Sequence, residues 1–113
     1  MIAYFYVDKD AAGESVECGL KLSQYGKPIP ESGEIPIKAI RALLSPRDDM
    51  DSFNDERKVC LKLDLPADKL LIAEETYIDA GKAAWFNQSV MHAKNYMMGK
   101  YNKPCYLISF TVL

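Results

Sequence analysis

Arg47 is the residue whose surroundings most favour ligand binding. It follows Ser45 and Pro46 in the segment SPRDDM. A proline restricts the backbone of the residue before it, so the apolar segment upstream ends here and a turn begins. A guanidinium fixed in a turn could bind a phosphate or a carboxylate through two parallel hydrogen bonds. An ion pair with Asp48, Asp49 or Asp51 would instead give Arg47 a structural role. Ser45 and Arg47 are therefore candidate ligand-binding residues.

Two tyrosines near the start of the chain are candidates for stacking on a base or a ribose. Tyr4 and Tyr6 alternate in IAYFYVD, a segment rich in aromatic and β-branched residues that predicts a strand over Ile2–Asp8. Tyr77, Tyr96 and Tyr101 could stack in the same way, although packing in the core is the usual role of a tyrosine in a small domain.

The acidic segment after Arg47 invites comparison with a calcium-binding loop. Asp49 and Asp51 fit the first two ligand positions of an EF-hand. The next ligand position holds Phe53, the glycine position holds Asn54, and the twelfth position holds Cys60, so the pattern fails three times. The segment is better interpreted as a solvated acidic loop, and the sequence predicts no metal site.

Other familiar chemistry has little support. His92 is the single histidine, and neither a CxxC motif nor a glycine-rich phosphate loop occurs. Cys105 follows Lys103 and Pro104 and could be an activated thiol, or a small apolar residue at the start of a strand. Catalytic residues therefore stay unassigned.

The amino-acid composition limits the classes of protein to which the chain can belong. The chain has 113 residues, 49% of them hydrophobic and 27% charged, which is typical of one globular domain over residues 1–113. A net charge of −2 does not favour a nucleic-acid-binding module. The apolar start is too short for a membrane span or an export signal, and three cysteines make an odd count. We therefore expect reduced thiols and a cytoplasmic protein without membrane association.

Hydrophobic alternation predicts the strands. The clearest case is residues 58–65, where Val59, Leu61, Leu63 and Leu65 would face the core of an interior strand. That strand is expected beside a final strand at residues 105–113. A further short strand is predicted over residues 69–73.

Helices are predicted from propensity and from spacing. A short helix capped by Asp10 is expected over residues 11–20, and a long one over residues 76–98, where Phe86, Val90, Ala93 and Met97 form a stripe. Residues 37–44 are assigned to a helix, with a strand as the alternative. Residues 24–36 hold five prolines and glycines in close succession and predict a loop. Together the elements predict an α+β domain with a mixed, mainly antiparallel sheet and two or three helices.

Three segments in this order resemble a known family. ECGLKLS (residues 17–23), ALLSPRDDM (42–50) and VCLKLDLPADKLLIAEE (59–75) are similar to segments of small ADP-ribosyltransferase-like domains, in particular the DarT-type DNA ADP-ribosyltransferases, and of short uncharacterised bacterial proteins. The resemblance implies a split sheet with an NAD-binding cleft, and it makes Arg47 the arginine that contacts the dinucleotide. The family's catalytic glutamate is expected near the start of a late strand, where this chain has Pro104, Cys105 and Tyr106.

Two functions follow as hypotheses. The resemblance implies a domain that binds NAD or a related nucleotide through Tyr4, Tyr6, Ser45 and Arg47, with or without catalysis. The alternative is a small non-enzymatic interaction or inhibitor protein, of the kind found in phages and mobile elements, that binds a protein partner through the acidic loop at residues 48–56. The order of the motifs favours the first hypothesis, whereas the missing carboxylate and the single histidine favour the second.

Overall fold

The computed structural model describes residues 1–28, 38–110 and 112. It confirms the predicted α+β class, and every strand pair in this part of the chain is antiparallel. The strands are β1 (Ile2–Asp8), β2 (Lys27–Pro28), β3 (Lys38–Ala42), β4 (Lys58–Asp64), β5 (Leu71–Glu74), β6 (Met91–His92) and β7 (Pro104–Ile108). The α-helices are α1 (Lys9–Cys18), α2 (Leu22–Tyr25), α3 (Met50–Phe53), α4 (Glu75–Asp79) and α5 (Ala83–Ser89).

The strands form two sheets. β1 pairs with β4 along their whole lengths, from Ile2 opposite Asp64 to Asp8 opposite Lys58. The other five strands lie in the order β2-β3-β7-β5-β6, so the last strand in sequence is the central one. The sheets meet where Tyr4 and Leu43 exchange two backbone hydrogen bonds, of 2.9 and 2.7 Å.

Two apolar clusters cover the two faces of the larger sheet. Alternate residues of a strand point to opposite faces, so Ile40, Ile72 and Ile108 join one cluster and Ala73 and Cys105 the other. The first cluster also contains buried residues of β1 and β4, and it therefore fills the space between the two sheets. The second is covered by Phe86 of α5.

The helix assigned to residues 37–44 is wrong, and its strand alternative is correct. β3 spans Lys38–Ala42, and residue 37 lies outside the described part of the chain. Ala39, Ile40 and Ala42 are all buried because β3 has an apolar cluster on each face. Such a strand carries a continuous apolar run, and its sequence cannot be distinguished from a helix by periodicity.

The long helix predicted over residues 76–98 is also wrong. α4 ends at Asp79, and Gly81 adopts a φ of +66°, a left-handed conformation that favours glycine. α5 then ends at Ser89, before β6 and a 3-10 turn at Ala93–Asn95. Phe86 is buried as expected, but Met97 is 75% exposed, and His92 is exposed and paired with Leu71 in the sheet.

The strand at residues 58–65 is confirmed, but its predicted neighbour is wrong. Among the described residues, β4 pairs with β1 and forms one edge of its sheet, rather than lying inside the sheet beside β7. Leu63 and Leu65 are buried, whereas Val59 and Leu61 are only half-buried. The alternation in β4 thus identifies a strand and its inner face without identifying its partner.

Three further boundaries differ from the predictions. The first helix begins one residue after its N-cap Asp8, instead of after Asp10. The predicted loop at residues 24–36 includes the end of α2 and all of β2, and residues 29–36 lie outside the described part. The final strand ends at Ile108, and Val112 pairs separately with Leu20. No helix in the described ranges has both the length and the apolar character needed to cross a bilayer.

Candidate ligand-binding cleft

The turn that carries Arg47 is built by its own polar neighbours. A 3-10 turn at Pro46–Asp48 follows β3, and Ser45 caps it. The Ser45 amide donates to the Asp48 carboxylate at 3.0 Å, and the Arg47 amide donates to the Ser45 hydroxyl at 3.4 Å. This reciprocal cap satisfies amide groups that the short turn leaves without backbone partners. Ser45 therefore orients the backbone of the turn.

Asp49 forms the next cap. One of its carboxylate oxygens accepts from the Ser52 amide at 3.2 Å, and the other accepts from the Ser52 hydroxyl at 2.7 Å. These bonds start α3, so the segment predicted to be a solvated loop contains an ordered helical turn. Asp48 and Asp49 thus hold the backbone on either side of Arg47, as the sequence predicts for the turn.

The guanidinium of Arg47 remains accessible. Arg47 is exposed, and its guanidinium carbon lies 5.6 Å from the centre of the Phe53 ring. A cation over an aromatic face is weakly attracted when both are exposed. Since Asp48 and Asp49 use their carboxylates as caps, the contact with Phe53 takes the place of the expected local ion pair.

Tyr6 connects the first strand to this turn. Its hydroxyl donates a hydrogen bond of 2.8 Å to the Pro46 carbonyl. Burial raises the pKa of Tyr6, and the nearby Cys60 and Asp49 raise it further, so the phenol stays protonated as a donor at neutral pH. Tyr4 lies two residues earlier on the same face of β1 and is half-buried. Its backbone bonds to Leu43 just before the turn.

A cleft of about 280 Å³ opens beside Tyr6, between β1, β3 and α3. It combines aromatic walls with charged groups of both signs. Its lining residues are Phe5, Tyr6, Tyr25, Lys27, Arg41, Leu43, Asp49, Ser52, Lys58 and Glu75. A concave site with an apolar wall and a few convergent polar groups is typical of small-molecule binding sites.

Arg41 is the best-positioned cation in the cleft. It projects from β3, and its side chain is about one-quarter exposed. Its Nη1 lies 3.3 Å from Asp79 Oδ1 and 3.7 Å from Glu75 Oε1. These two carboxylates hold the guanidinium in place while leaving part of it accessible. An anionic ligand would compete with them for the remaining donors.

Two lysines add positive charge to the same cleft. Lys58 is half-buried at the start of β4, and its Nζ lies 3.2 Å from Asp8 Oδ1. Lys27 is exposed at the start of β2. With Arg41 they give the lining three cations against the two carboxylates of Asp49 and Glu75, while Asp79 and Asp8 pair with Arg41 and Lys58 from outside the lining.

The predicted site residues are near one another but do not all line the cleft. Tyr6 lines it, whereas Ser45 and Arg47 belong to the adjoining turn and Tyr4 lies beyond Tyr6 on β1. The sequence argument missed Arg41 because it placed this residue on a helix. In a strand, a charged residue between Ile40 and Ala42 stands out, since both neighbours are buried.

A buried glutamate lies next to the cleft but does not line it. Glu74 ends β5 directly opposite Pro104, the first residue of β7. Its carboxylate accepts from the amides of Asn102 and Lys103 at 2.8 and 3.0 Å, and from the Thr76 hydroxyl at 2.7 Å. Three donors occupy most of the acceptor positions of this carboxylate, so its role is to hold the loop before β7. Its neighbour Glu75 is the glutamate that faces the cleft.

A larger hollow of about 660 Å³ lies over the turn at residues 55–58. Its lining consists entirely of charged side chains, from Asp8, Lys9 and Asp10 and from residues 55–58. It lacks the apolar wall of a ligand-binding site, so the smaller cleft is the better candidate. Within the described ranges, no group of three or more histidine, cysteine, aspartate or glutamate residues is arranged to hold a metal ion.

Comparison with known proteins identifies no relative of this chain. The chain matches no protein-family model, no curated protein and no solved structure.

Proposed function

We propose that the protein is an ADP-ribosyltransferase-like domain that binds NAD or a related nucleotide in the cleft beside Tyr6. The single observation that carries the proposal is the meeting of Arg41, Lys27 and Lys58 next to an aromatic wall. Phosphate groups are bound by such cations, and a base or ribose packs against aromatic rings. The order of the three family-like segments supports the same ligand.

The size of the cleft limits what it can hold. Ligand pockets usually have volumes of roughly 300–1,000 Å³, and this one has about 280 Å³. It accommodates one half of a dinucleotide, with the phosphates toward Arg41. The rest of the ligand would then extend along the turn at Ser45, where the exposed Arg47 offers a second guanidinium. Tyr4, Tyr6, Ser45 and Arg47 keep a role in this arrangement as the border of the site.

The proposal concerns binding and not group transfer. Glu75 is the glutamate in the cleft, and its carboxylate lies within ion-pairing distance of Arg41. A paired carboxylate at the edge of a phosphate site lowers affinity for an anion and makes binding dependent on ionic strength. Because Arg41 and Lys58 are already paired with carboxylates, we expect modest affinity that falls as salt is added.

The test is calorimetric titration of the parent with NAD, ADP-ribose and ADP. We expect Arg41→Ala to weaken binding by about ten- to a hundred-fold, because a charge-assisted hydrogen bond contributes roughly 1.5–3 kcal/mol. Arg41→Lys should restore only part of the affinity, since an ammonium cannot reproduce two parallel bonds. Arg47→Ala should weaken the dinucleotide more than ADP, which does not reach the turn.

Arg57→Ala is the matched control. Its guanidinium is exposed and bonded to Asp55, and it does not line the cleft. Affinity should be unchanged in this variant. Absence of heat and of any melting-temperature shift for the parent at millimolar ligand would reject the proposal, because a ligand that binds only the folded state must stabilise it.

A second candidate function is favoured by one observation. Met50 and Phe53, on α3 within the acidic segment at residues 48–56, are 49% and 45% exposed. Exposed apolar side chains among carboxylates are suited to a protein partner with a basic rim around an apolar centre. An interaction or inhibitor protein of phage or mobile-element type would use this surface. Capture of the same partner by the parent and by a Met50→Ser, Phe53→Ser variant would reject this surface.

The proposed place of action is the cytoplasm. Cys18, Cys60 and Cys105 are free thiols, which suits a reducing compartment and a nucleotide ligand. Localisation of the tagged chain in cell fractions tests this directly.

A further inference from the structure

β4 has a second edge that the fold does not use. In its ladder with β1, the hydrogen bonds from Lys9 to Arg57 and from Leu65 to Met1 mark the odd-numbered positions as the bonded ones. Bonded and non-bonded pairs alternate along an antiparallel ladder, so Cys60, Lys62 and Asp64 direct their amide and carbonyl groups away from β1. No other described residue pairs with this edge. An unpaired edge of this kind is a template for another strand.

The sequence of β4 is complementary to itself when reversed. If two copies of KVCLKLD pair antiparallel about Leu61, Lys58 of each copy lies opposite Asp64 of the other. Cys60 then faces Lys62, and Val59 faces Leu63. The outward-directed groups of even-numbered residues oppose each other, as an antiparallel ladder requires. All seven residues of the strand are opposed in this register, and the Lys58 amide keeps its hydrogen bond to the Asp55 carbonyl instead of joining the new ladder.

Neighbouring registers place like charges together. Pairing centred on Cys60 places Lys58 of one copy opposite Lys62 of the other. Pairing centred on Lys62 places the two copies of Lys62 opposite each other. Like charges directly opposite in a sheet are destabilising, whereas opposite charges are favourable. Charge complementarity therefore favours the register centred on Leu61 over these two neighbouring registers.

Apolar groups beside the edge are only partly covered. Leu61 is half-buried, and Val16 on α1 is 75% exposed. Together with Leu20 and Val112 they border a hollow of about 290 Å³ along β4. A second copy paired about Leu61 would add its own Leu61 to this apolar surface.

We propose that β4 is the interface of a symmetric homodimer, in which two β4 strands pair antiparallel about Leu61 and join the two β1–β4 sheets into one of four strands. The contact is isologous, since the same patch serves both copies. A contact made by one seven-residue strand of each copy is expected to be small, so the dimer should dissociate on dilution. The inference does not depend on nucleotide binding.

Sedimentation equilibrium over a range of concentrations tests association. Lys62→Pro should give a monomer at all concentrations, because its amide faces the free edge and proline is tolerated at such a position. Lys62→Ala keeps the amide and should still dimerise. Asp64→Lys should weaken the dimer as well, because Lys58 of each copy would then lie opposite a lysine of the other. Asp64 is 85% exposed in its side chain, so this change tests the interface even if the proline variant fails to fold.

Cross-linking tests the register. In a background with Cys18→Ser and Cys60→Ser, Leu61→Cys should form an intermolecular disulfide under mild oxidation. Non-bonded antiparallel pairs place their Cα atoms about 4.5 Å apart, within the range of a disulfide. Val59→Cys is the control, since its two copies would lie four residues, or about 13 Å, apart along the ladder.

The outcomes are distinguishable. A parent that stays monomeric at its solubility limit overturns the dimer. Dimerisation unchanged by Lys62→Pro and Asp64→Lys overturns the role of β4, and equal cross-linking through Val59→Cys overturns the register.

Discussion

The three cysteines differ in exposure, and we predict that they react in that order. Cys18 is exposed, Cys60 is intermediate and Cys105 is buried. Burial raises the pKa of the Cys105 thiol to about 12 and also raises the pKa of Cys60. Because the thiolate is the reactive form, an aromatic disulfide reagent should modify Cys18 first and Cys105 only after unfolding.

The denatured, unreduced protein should release three equivalents of the reagent's chromophore. Cys18→Ser should remove the fast phase and leave the others unchanged. One equivalent after denaturation would mean that two cysteines form a disulfide, and it would contradict the predicted reducing compartment.

Asp55 provides a predicted pH dependence at a single residue. The side chain and the amide of Arg57 hydrogen-bond to its carboxylate and lower its pKa from 3.8 to about 2. A pKa that is lower in the folded state means that the ionised carboxylate favours folding. This contribution is complete above the ordinary pKa and is lost as the pH falls through about 2.

Titration by nuclear magnetic resonance checks this prediction. Arg57→Ala should raise the midpoint only part of the way, since the amide of residue 57 still donates. Lys58→Ala is the control, because Lys58 contributes least to the lowered pKa. A midpoint in the ordinary range for the parent would contradict the hydrogen-bond geometry.

Sequence could predict the turn at Arg47 but not the group around Arg41. The Ser45, Asp48 and Asp49 caps are local, and their chemistry follows from residue type and spacing. Arg41 meets Asp79 across 38 residues of chain, through a sheet pairing that its own neighbours do not specify. Residue type and spacing therefore predict backbone turns more reliably than they predict groups of side chains that strand pairing brings together.

At the scale of elements, Glu74 fastens the end of β5 to the loop before β7. We predict that Glu74→Gln destabilises the fold by about 1–3 kcal/mol, because an amide nitrogen replaces one acceptor oxygen and leaves the backbone amide of Asn102 or Lys103 without its partner. The urea midpoint of unfolding measures the change. Glu75→Gln is the control, since its ion pairs at 3.7 and 4.0 Å are near the surface and contribute little. Equal midpoints for Glu74→Gln and the parent would show that these bonds do not stabilise the loop.

Period-two alternation could identify β4 because the pattern lies within the strand itself. The apolar spacing over residues 76–98 suggested one helix, yet Gly81 and the pairing of β6 with β5 interrupt it. Hydrogen bonding to β5 and the burial of Ala93 outweigh the modest helix propensity of the segment. The strand pairing that decides the outcome joins Met91 to Ile72, which no local pattern indicates.

For the whole molecule, we predict one cooperative unfolding transition. β3, β5 and β7 contribute to both apolar clusters, from opposite faces. Loss of the sheet therefore removes both clusters together. Far-ultraviolet circular dichroism reports all the elements, and the fluorescence of Trp85, the single tryptophan, reports α5. The two denaturation curves should coincide, and separate midpoints would mean that the sheets unfold independently.

The α+β class could be predicted because it needs only the kinds of elements and their order. The cleft could not, because it is formed by residues from β1, α2, β2, β3, α3, β4 and α4, whose meeting depends on sheet order. Tyr6 was identified from its strand, and its bond to Pro46 across 40 residues connects it to the predicted turn.

The central place of β7 has a consequence for how the chain folds as it is made. β3 and β5 do not pair with each other, and both bond to β7. Neither contact can form until the ribosome has made residues 104–108, more than sixty residues after β3 begins. The larger sheet therefore assembles late, and β3 must stay unpaired on that side during most of synthesis. Such non-local pairing is slow, and until β7 is made the unpaired edge of β3 can aggregate or bind a chaperone.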